Sequence, residues 1–152
     1  MRVSVVVCFV MVVLGLIGCG SRQGSLAIKG VTPLNLNDLD ESTPVTVRIY
    51  QLKAAERFRG ADFGSLWSKD TEVLGGDRLG DPAVTTVLPG ATEAEPQTVS
   101  IGTLSPEARF IGVMALFSKT DAQGQRTVVI PRSDLDDAVV ILTGYSVRLT
   151  TD

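Results

Sequence analysis

The sequence of 152 residues contains no histidine and only two cysteines. Without histidine, a Ser-His-Asp triad, a Cys-His pair and a histidine-ligated zinc site each lack a required member. Aromatic residues make up only 5% of the chain and no run of basic residues accompanies them, so the composition does not favour nucleic-acid binding. We therefore predict a chain that is not an enzyme, with no catalytic residues, no metal site, no cofactor and no small-molecule substrate.

Long apolar runs are also scarce, and the one extended hydrophobic stretch lies at the N-terminus. Met1 and Arg2 precede an apolar core from Val3 to Leu16, which leads into Leu16-Ile17-Gly18-Cys19. These are the parts of a signal peptide, and the last four residues resemble the lipobox at which bacterial lipoproteins are lipidated and cleaved. We predict a lipoprotein signal peptide over residues 1–18. The alternatives are a transmembrane anchor, for which the 17 residues from Val3 to Cys19 are short, and a plain export signal.

The predicted mature chain begins at Cys19, which would carry the acyl chains. An aspartate after the cysteine usually retains bacterial lipoproteins at the inner membrane. Here Gly20 follows, which by this resemblance implies the outer membrane of a Gram-negative cell, with the body facing the periplasm. Several acyl chains anchor stably because each buried methylene contributes about 0.8 kcal/mol. We predict a lipidated N-terminus and linker over residues 19–25 and one domain over 26–152, which has no cysteine and must be stable without a disulfide.

The domain consists mainly of short β-branched and apolar runs separated by Gly, Pro, Asp and Asn. Such runs predict strands, and about seven or eight of them with turns between predict a mainly β, two-sheet sandwich. The run 109–118 is apolar on both faces, so we predict that it forms a central strand covered on both sides. The predicted strands are 26–31, 45–52, 83–88, 97–101, 109–118, 126–130, 138–142 and 145–149.

A short helical insertion is predicted around residues 54–75. Phe63, Leu66 and Trp67 follow the i, i+3, i+4 spacing of one helical face. Asp62 is predicted to cap the start of this helix, and Asp70 the start of a second short helix that ends at Gly75-Gly76. The aromatic residues of this region, with Phe58, favour a core face over an aromatic ligand platform.

The segment 32–44 (TPLNLNDLDESTP) combines three leucines with asparagine and acidic residues. Exposed leucines are unfavourable in water, which leaves two interpretations open. Either Leu34, Leu36 and Leu39 fold back onto the sandwich, or the loop offers apolar anchors with a polar rim to a partner.

Four blocks, in this order and spacing, resemble one protein family: VTVRIYQL (45–52), ADFGSLW (61–67), VLPG (87–90) and ARFIGVMA (108–115). Together with the lipobox they are similar to the TssJ outer-membrane lipoproteins of type VI secretion systems. Gly64 departs from the pattern, because a bulky and often aromatic residue is expected there. The resemblance implies a transthyretin-like sandwich without catalysis that anchors the membrane complex by binding the periplasmic C-terminal domain of TssM. It implies that the loop between the first two strands makes this contact, through Asn35, Leu36, Asn37, Asp38, Leu39, Asp40 and Glu41.

Two other classes of function are compatible with the sequence. One is a β-sandwich binding lipoprotein of another envelope complex. The other is a carboxylate-dependent envelope hydrolase, which would need two acidic side chains roughly 5–9.5 Å apart across a cleft.

Overall fold

The β-branched runs form nine strands in the part of the chain that the structure, a computed structural model, describes: residues 21–121 and 124–151. All eight predicted strands are present, and the one additional strand, Pro89–Gly90, is only two residues long. Strand β2 has the predicted bounds, whereas β1 extends beyond its predicted range at both ends. The strands are β1 Gln23–Leu34, β2 Val45–Leu52, β3 Ala83–Val87, β4 Pro89–Gly90, β5 Gln97–Thr103, β6 Phe110–Leu116, β7 Thr127–Pro131, β8 Ala138–Gly144 and β9 Ser146–Thr151.

The strands are divided between two sheets that pack face to face. In the first sheet the order is β4-β1-β8-β9, with β5 also paired to β1; β1 runs parallel to β8 and antiparallel to β5. The second sheet has the order β3-β2-β6-β7 and is antiparallel throughout. The predicted two-sheet sandwich is confirmed.

The main core lies between the sheets and follows from the two-residue period of the strands. Val45, Val47 and Ile49 of β2 are buried with Ile111 and Val113 of β6. Burying each such side chain contributes about 1.5–3 kcal/mol. Strand β6 is flanked by β2 and β7 and is buried on both faces, so the prediction of a central, doubly covered strand is confirmed.

The helical insertion forms three short helices, α1 Glu56–Gly60, α2 Phe63–Ser68 and α3 Asp70–Leu74, followed by a 3-10 turn at Gly75–Asp77. Asp62 caps α2 as predicted, because its carboxylate accepts the Ser65 N–H at 2.8 Å. The prediction for Asp70 is wrong by one position. Lys69 is the N-cap of α3, and Asp70 is its first residue, where the carboxylate accepts the Thr71 N–H at 2.7 Å.

These helices cover the outer face of the second sheet and form a second apolar cluster there. Phe58, Leu66 and Leu74 are fully buried against Tyr50 and Met114. Gly112 makes this packing possible, since a Cβ at this position would lie 2.9 Å from the Phe58 ring.

Of the three aromatic residues assigned to the core, only Phe58 is fully buried. Phe63 and Trp67 are half-buried and stacked on each other with ring centroids 6.3 Å apart. The guanidinium of Arg48 lies 3.9 Å from the Trp67 ring, and that of Arg126 lies 3.7 Å from the Phe63 ring. These contacts attach α2 to strand β2 and to the residue just before β7, so the pair is structural although partly exposed.

The first strand begins earlier than the predicted domain boundary at residue 26. Gln23 and Gly24 already pair with Thr103 and Gly102 of β5, so residues 23–25 of the predicted linker belong to the sheet. The predicted signal peptide 1–18 and Cys19 lie outside the described residues. Within the described ranges, no helix is long and apolar enough to cross a membrane.

Candidate functional site

The loop between β1 and β2, residues 35–44, lies at one end of the sandwich, which we call the loop end. Strands β3, β6 and β8 also finish here, because Val87 pairs with Val45, Leu116 with Thr46 and Gly144 with Leu34. Strand β1 starts at the opposite end and has 12 residues, which at a rise of about 3.3 Å per residue span roughly 35 Å. The start of the domain and the β1–β2 loop are therefore separated by the full length of the sandwich.

Asn35 attaches the loop to the body of the domain. Its side-chain amide donates to Thr43 Oγ1 at 2.8 Å and to the Pro44 carbonyl at 3.0 Å, while its side-chain oxygen accepts the Ser118 N–H at 2.7 Å. Its backbone N–H donates to the Gly144 carbonyl at 2.7 Å. The residue is only 6% exposed and has a positive φ of 47°, which asparagine tolerates better than most residues. Asn35 was expected to contact a partner; its side chain is instead used inside the domain, so it is excluded from the proposed contact surface.

Asn37 organises the tip of the loop into a tight turn. Its side-chain oxygen accepts the backbone N–H groups of Leu39 at 2.9 Å and Glu41 at 3.0 Å, and its amide donates to the Glu41 carboxylate at 2.9 Å. The Asp40 N–H donates to the Asn37 carbonyl at 3.2 Å, and Asp40 has a positive φ of 59°. An asparagine bonded to the backbone two residues ahead is a local turn-forming device. The turn therefore has a defined shape before any partner binds.

The turn presents Asp38 and Leu39 to solvent. Leu39 is 78% exposed, the highest value among the large apolar side chains described. The Asp38 carboxylate lies 3.0 Å from Lys119 Nζ, and this hydrogen bond raises the pKa of the Lys119 ammonium. The contact is solvent-exposed, so it orients the tip without adding much stability.

Each leucine of the loop region has a different environment, so the fold-back interpretation does not hold for all three. Leu34 is fully buried at the end of β1, as the fold-back interpretation requires. Leu36 is half-buried, and its carbonyl accepts the Tyr145 hydroxyl at 3.0 Å. Leu39 points outward, as a partner anchor would.

Two further apolar residues at the loop end were not predicted as site residues. Leu88, just after β3, is 63% exposed, and Leu116, the last residue of β6, is 37% exposed. With Leu39 they are three of the four exposed large apolar residues described, the fourth being Val84 within β3. A local concentration of exposed apolar side chains is typical of a protein-binding surface. The alternation of residues in a strand predicts which side chains share a face of the sheet. It does not predict that Leu88 and Leu116 remain exposed to solvent at the loop end.

Three grooves on the described surface do not resemble a paired-carboxylate site. The groove of about 710 Å³ is lined by no carboxylate. The groove of about 420 Å³ has a single lining carboxylate, Asp81, and the groove of about 80 Å³ has only Glu95. None therefore contains the facing acidic pair that the hydrolase interpretation needs. The described residues also contain no group of three or more His, Cys, Asp or Glu side chains placed to hold a metal ion.

The fold and the loop define a class: a β-sandwich protein that presents an ordered, apolar-tipped loop at one end. More specifically, the chain belongs to the type VI secretion lipoprotein family (VasD, EvfM, TssJ, VC_A0113), whose family model matches residues 22–149. This family consists of secretion-system lipoproteins and is not a known enzyme family, and membership indicates a membrane-anchored protein of the cell envelope. A search among curated proteins gave no significant match.

Solved structures show the same fold. Serratia marcescens Lip, a membrane-bound component of the type VI secretion system, superposes with a TM-score of 0.72 at 21% identity, covering 85% of this chain and 97% of that chain. A chain of a type VI membrane complex gives a TM-score of 0.72 at 28% identity, with coverage of 85% and 98%. A chain in the structure of the TssM C-terminal domain from EAEC gives 0.70 at 25% identity, with coverage of 86% and 98%.

Proposed function

We propose that this protein is an outer-membrane lipoprotein that anchors a type VI secretion membrane complex by binding the periplasmic C-terminal domain of TssM. The observation that carries the proposal is the loop end: a preformed turn holds Leu39 in solvent at the same end of the sandwich as the exposed Leu88 and Leu116. A preformed loop loses little conformational entropy on binding, so its apolar contacts contribute more fully to affinity.

The partner is supported by the solved relatives. Two chains at 25% and 28% identity come from structures of a TssM C-terminal domain and of a type VI membrane complex. In the proposed interface Leu39 fills an apolar pocket of the partner, with Leu88 and Leu116 beside it. Asp38, Asp40 and Glu41 form the polar rim of this contact.

The membrane attachment would be made by acyl chains on Cys19, inserted in the outer membrane. Strand β1 then acts as a rigid spacer of roughly 35 Å between the lipidated end and the loop. This geometry would place the contact surface at the end of the domain that faces away from the outer membrane. It would explain how a loop that begins soon after the anchor in sequence meets a partner from the inner membrane.

Binding between the purified chain and the TssM periplasmic C-terminal domain from the same genome tests the loop assignment. We expect Leu39→Asp to weaken binding at least 30-fold, since hot-spot residues contribute about 2 kcal/mol or more. Leu88→Asp should weaken binding less. Val84→Asp is the matched control, because Val84 is also exposed but lies within β3 rather than at the loop end.

All three variants replace exposed residues and should unfold within a few tenths of a kcal/mol of the parent chain. If Leu39→Asp binds TssM as tightly as the parent, the loop is not the contact surface. If the parent chain does not bind TssM but is recovered with other envelope proteins, it belongs to another envelope complex.

A further inference from the structure

A second surface feature lies on the side of the sandwich where the two sheets end. The edge strands β7 and β9 flank an open groove of about 710 Å³, which we call the β7–β9 groove. Residues of both strands line it, together with Gln125, which precedes β7, and one residue from α1. Its lining residues are Arg59, Gln125, Thr127, Val128, Val129, Arg148 and Leu149.

The backbone of β7 has unused hydrogen-bonding groups on the groove side. In the antiparallel β6–β7 ladder, the Ala115 N–H donates to the Arg126 carbonyl and the Arg132 N–H to the Arg109 carbonyl, both at 2.9 Å. Hydrogen-bonded and non-hydrogen-bonded residue pairs alternate along such a ladder. Ala115 and Arg126 form a bonded pair, so the next pair, Met114 and Thr127, is non-bonded. The pair of Gly112 and Val129, two positions further along, is also non-bonded. Thr127 and Val129 therefore direct their N–H and C=O groups away from β6, towards the groove.

Strand β9 forms the other wall and closes the groove at the loop end. The Val147 N–H donates to the Gln125 carbonyl at 2.6 Å, which joins the two strand edges there. Because strand backbone groups alternate in direction, Leu149 also points its N–H and C=O away from β8. At the other end β7 finishes at Pro131, which has no N–H. The groove is therefore about one short strand long and lined by free backbone groups.

The charged side chains of the groove are all positive. Arg59 and Arg148 line it together with no carboxylate. Neither guanidinium takes part in an ion pair among the described residues; Arg59 instead lies 5.7 Å from the Phe110 ring. The groove therefore carries positive charge that no ion pair among the described residues neutralises.

We propose that the β7–β9 groove binds an extended, acidic segment of a partner protein, which adds as a strand to the edge of β7. Main-chain bonds to Thr127 and Val129 would hold the segment, as in other cases of strand addition. Its carboxylates would pair with Arg59 and Arg148, which sets the preferred charge of the occupant. The proposal goes beyond the proposed function and does not depend on the loop contact.

A second copy of this chain fits the groove less well. Pairing two β7 edges would bring two positively charged grooves together, and juxtaposed like charges disfavour an interface. The observations therefore favour an acidic partner strand over self-association.

The test uses the full chain, purified in detergent, and a fluorescent seven-residue peptide of alternating Glu and Val or Thr, with its Lys counterpart. We expect fluorescence anisotropy to show at least tenfold tighter binding of the Glu peptide, weakening with added salt. Thr127→Pro should lose at least tenfold in affinity, because it removes a groove-facing N–H without breaking the β6 ladder. Thr127→Ala, which keeps that N–H, is the matched control and should bind normally.

A charge exchange keeps the proposal testable even if Thr127→Pro fails to fold. The double variant Arg59→Glu/Arg148→Glu should no longer bind the Glu peptide and should bind the Lys peptide instead. Leu39→Asp should leave peptide binding unchanged, which separates this site from the loop contact. Equal binding of both peptides to the parent chain, unchanged binding by a folded Thr127→Pro variant, or concentration-dependent dimers that block the groove would overturn the proposal.

Discussion

At the scale of single residues, the two asparagines of the β1–β2 loop have different roles. Asn35 is buried, and its hydrogen bonds connect the far side of the loop with Ser118, just after β6, and with Gly144 at the end of β8. Asn37 is half-buried and bonds only within the loop tip. The family resemblance implied the same partner-binding role for both residues. Their difference depends on Ser118 and Gly144, which are distant in sequence.

We predict that Asn35→Ala destabilises the domain by about 2–4 kcal/mol. The change leaves the Ser118 N–H and the Pro44 carbonyl without their partner and places alanine at a positive φ. Asn37→Ala should cost about 1 kcal/mol, since its bonds are local and partly exposed. Urea unfolding measures both. Equal effects of the two substitutions would contradict the distinct roles.

The ionisation of Tyr50 couples to folding. Its hydroxyl lies under the helical insertion and donates to the Asp70 carboxylate at 3.0 Å. Burial, together with the nearby Asp70 charge, raises the pKa of Tyr50 from 10.0 to about 12. In the unfolded chain the phenol would ionise near its ordinary pKa of about 10. Between these pH values the unfolded state loses the proton while the folded state keeps it.

The stability of the parent chain should therefore fall as the pH rises from about 10 to 12, by at most about 1.4 kcal/mol per pH unit from this group. Below pH 10 Tyr50 contributes no pH dependence. Tyr50→Phe should be less stable at neutral pH but show a flatter decline in this alkaline window. Chemical unfolding at several pH values measures the two slopes, and identical slopes would show that the buried phenol does not ionise on unfolding.

At the scale of elements, the structure follows the sequence most closely where one pattern decides the outcome. The strict alternation of Val45, Val47 and Ile49 fixes the range and facing of β2. The start of α3 was less predictable, because the Asp70 side chain is directed to Thr71 and Tyr50 and leaves the cap position to Lys69. The free edge of β7 was not predictable either, since it depends on which strands meet across the two sheets.

The helical insertion requires a glycine on the strand beneath it. We predict that Gly112→Ala destabilises the domain by about 1–3 kcal/mol, because the added Cβ would lie 2.9 Å from atoms of Leu52 and Phe58. Gly60→Ala is the control, since a Cβ at Gly60 meets nothing within 4 Å and alanine favours a helix. Thermal unfolding should show a lower midpoint for the first variant and an unchanged or higher one for the second.

At the scale of the whole molecule, the proposed anchor has two ends. The sandwich separates the start of β1 from the loop by roughly 35 Å, and Cys19 precedes that start by only a few residues. The sequence predicted the fold, which the structure confirms, because strands have a local pattern. The lipidation of Cys19 and the partner contact of the loop stay predictions. The sequence did not separate the outward Leu39 from the buried Leu34, and it did not identify Leu88 and Leu116, because exposure depends on the assembled sheets.

The most direct test of the central claim measures where the TssM periplasmic domain is found in the cell envelope. The exported TssM domain is produced with this chain, and outer-membrane and soluble periplasmic fractions are separated. With the parent chain, the TssM domain should be recovered with the outer membrane. With Cys19→Ser, both proteins should be soluble and still bound to each other. With Leu39→Asp/Leu88→Asp, the chain should remain in the outer membrane while the TssM domain becomes soluble. A TssM domain that stays with the outer membrane in either variant would contradict the account.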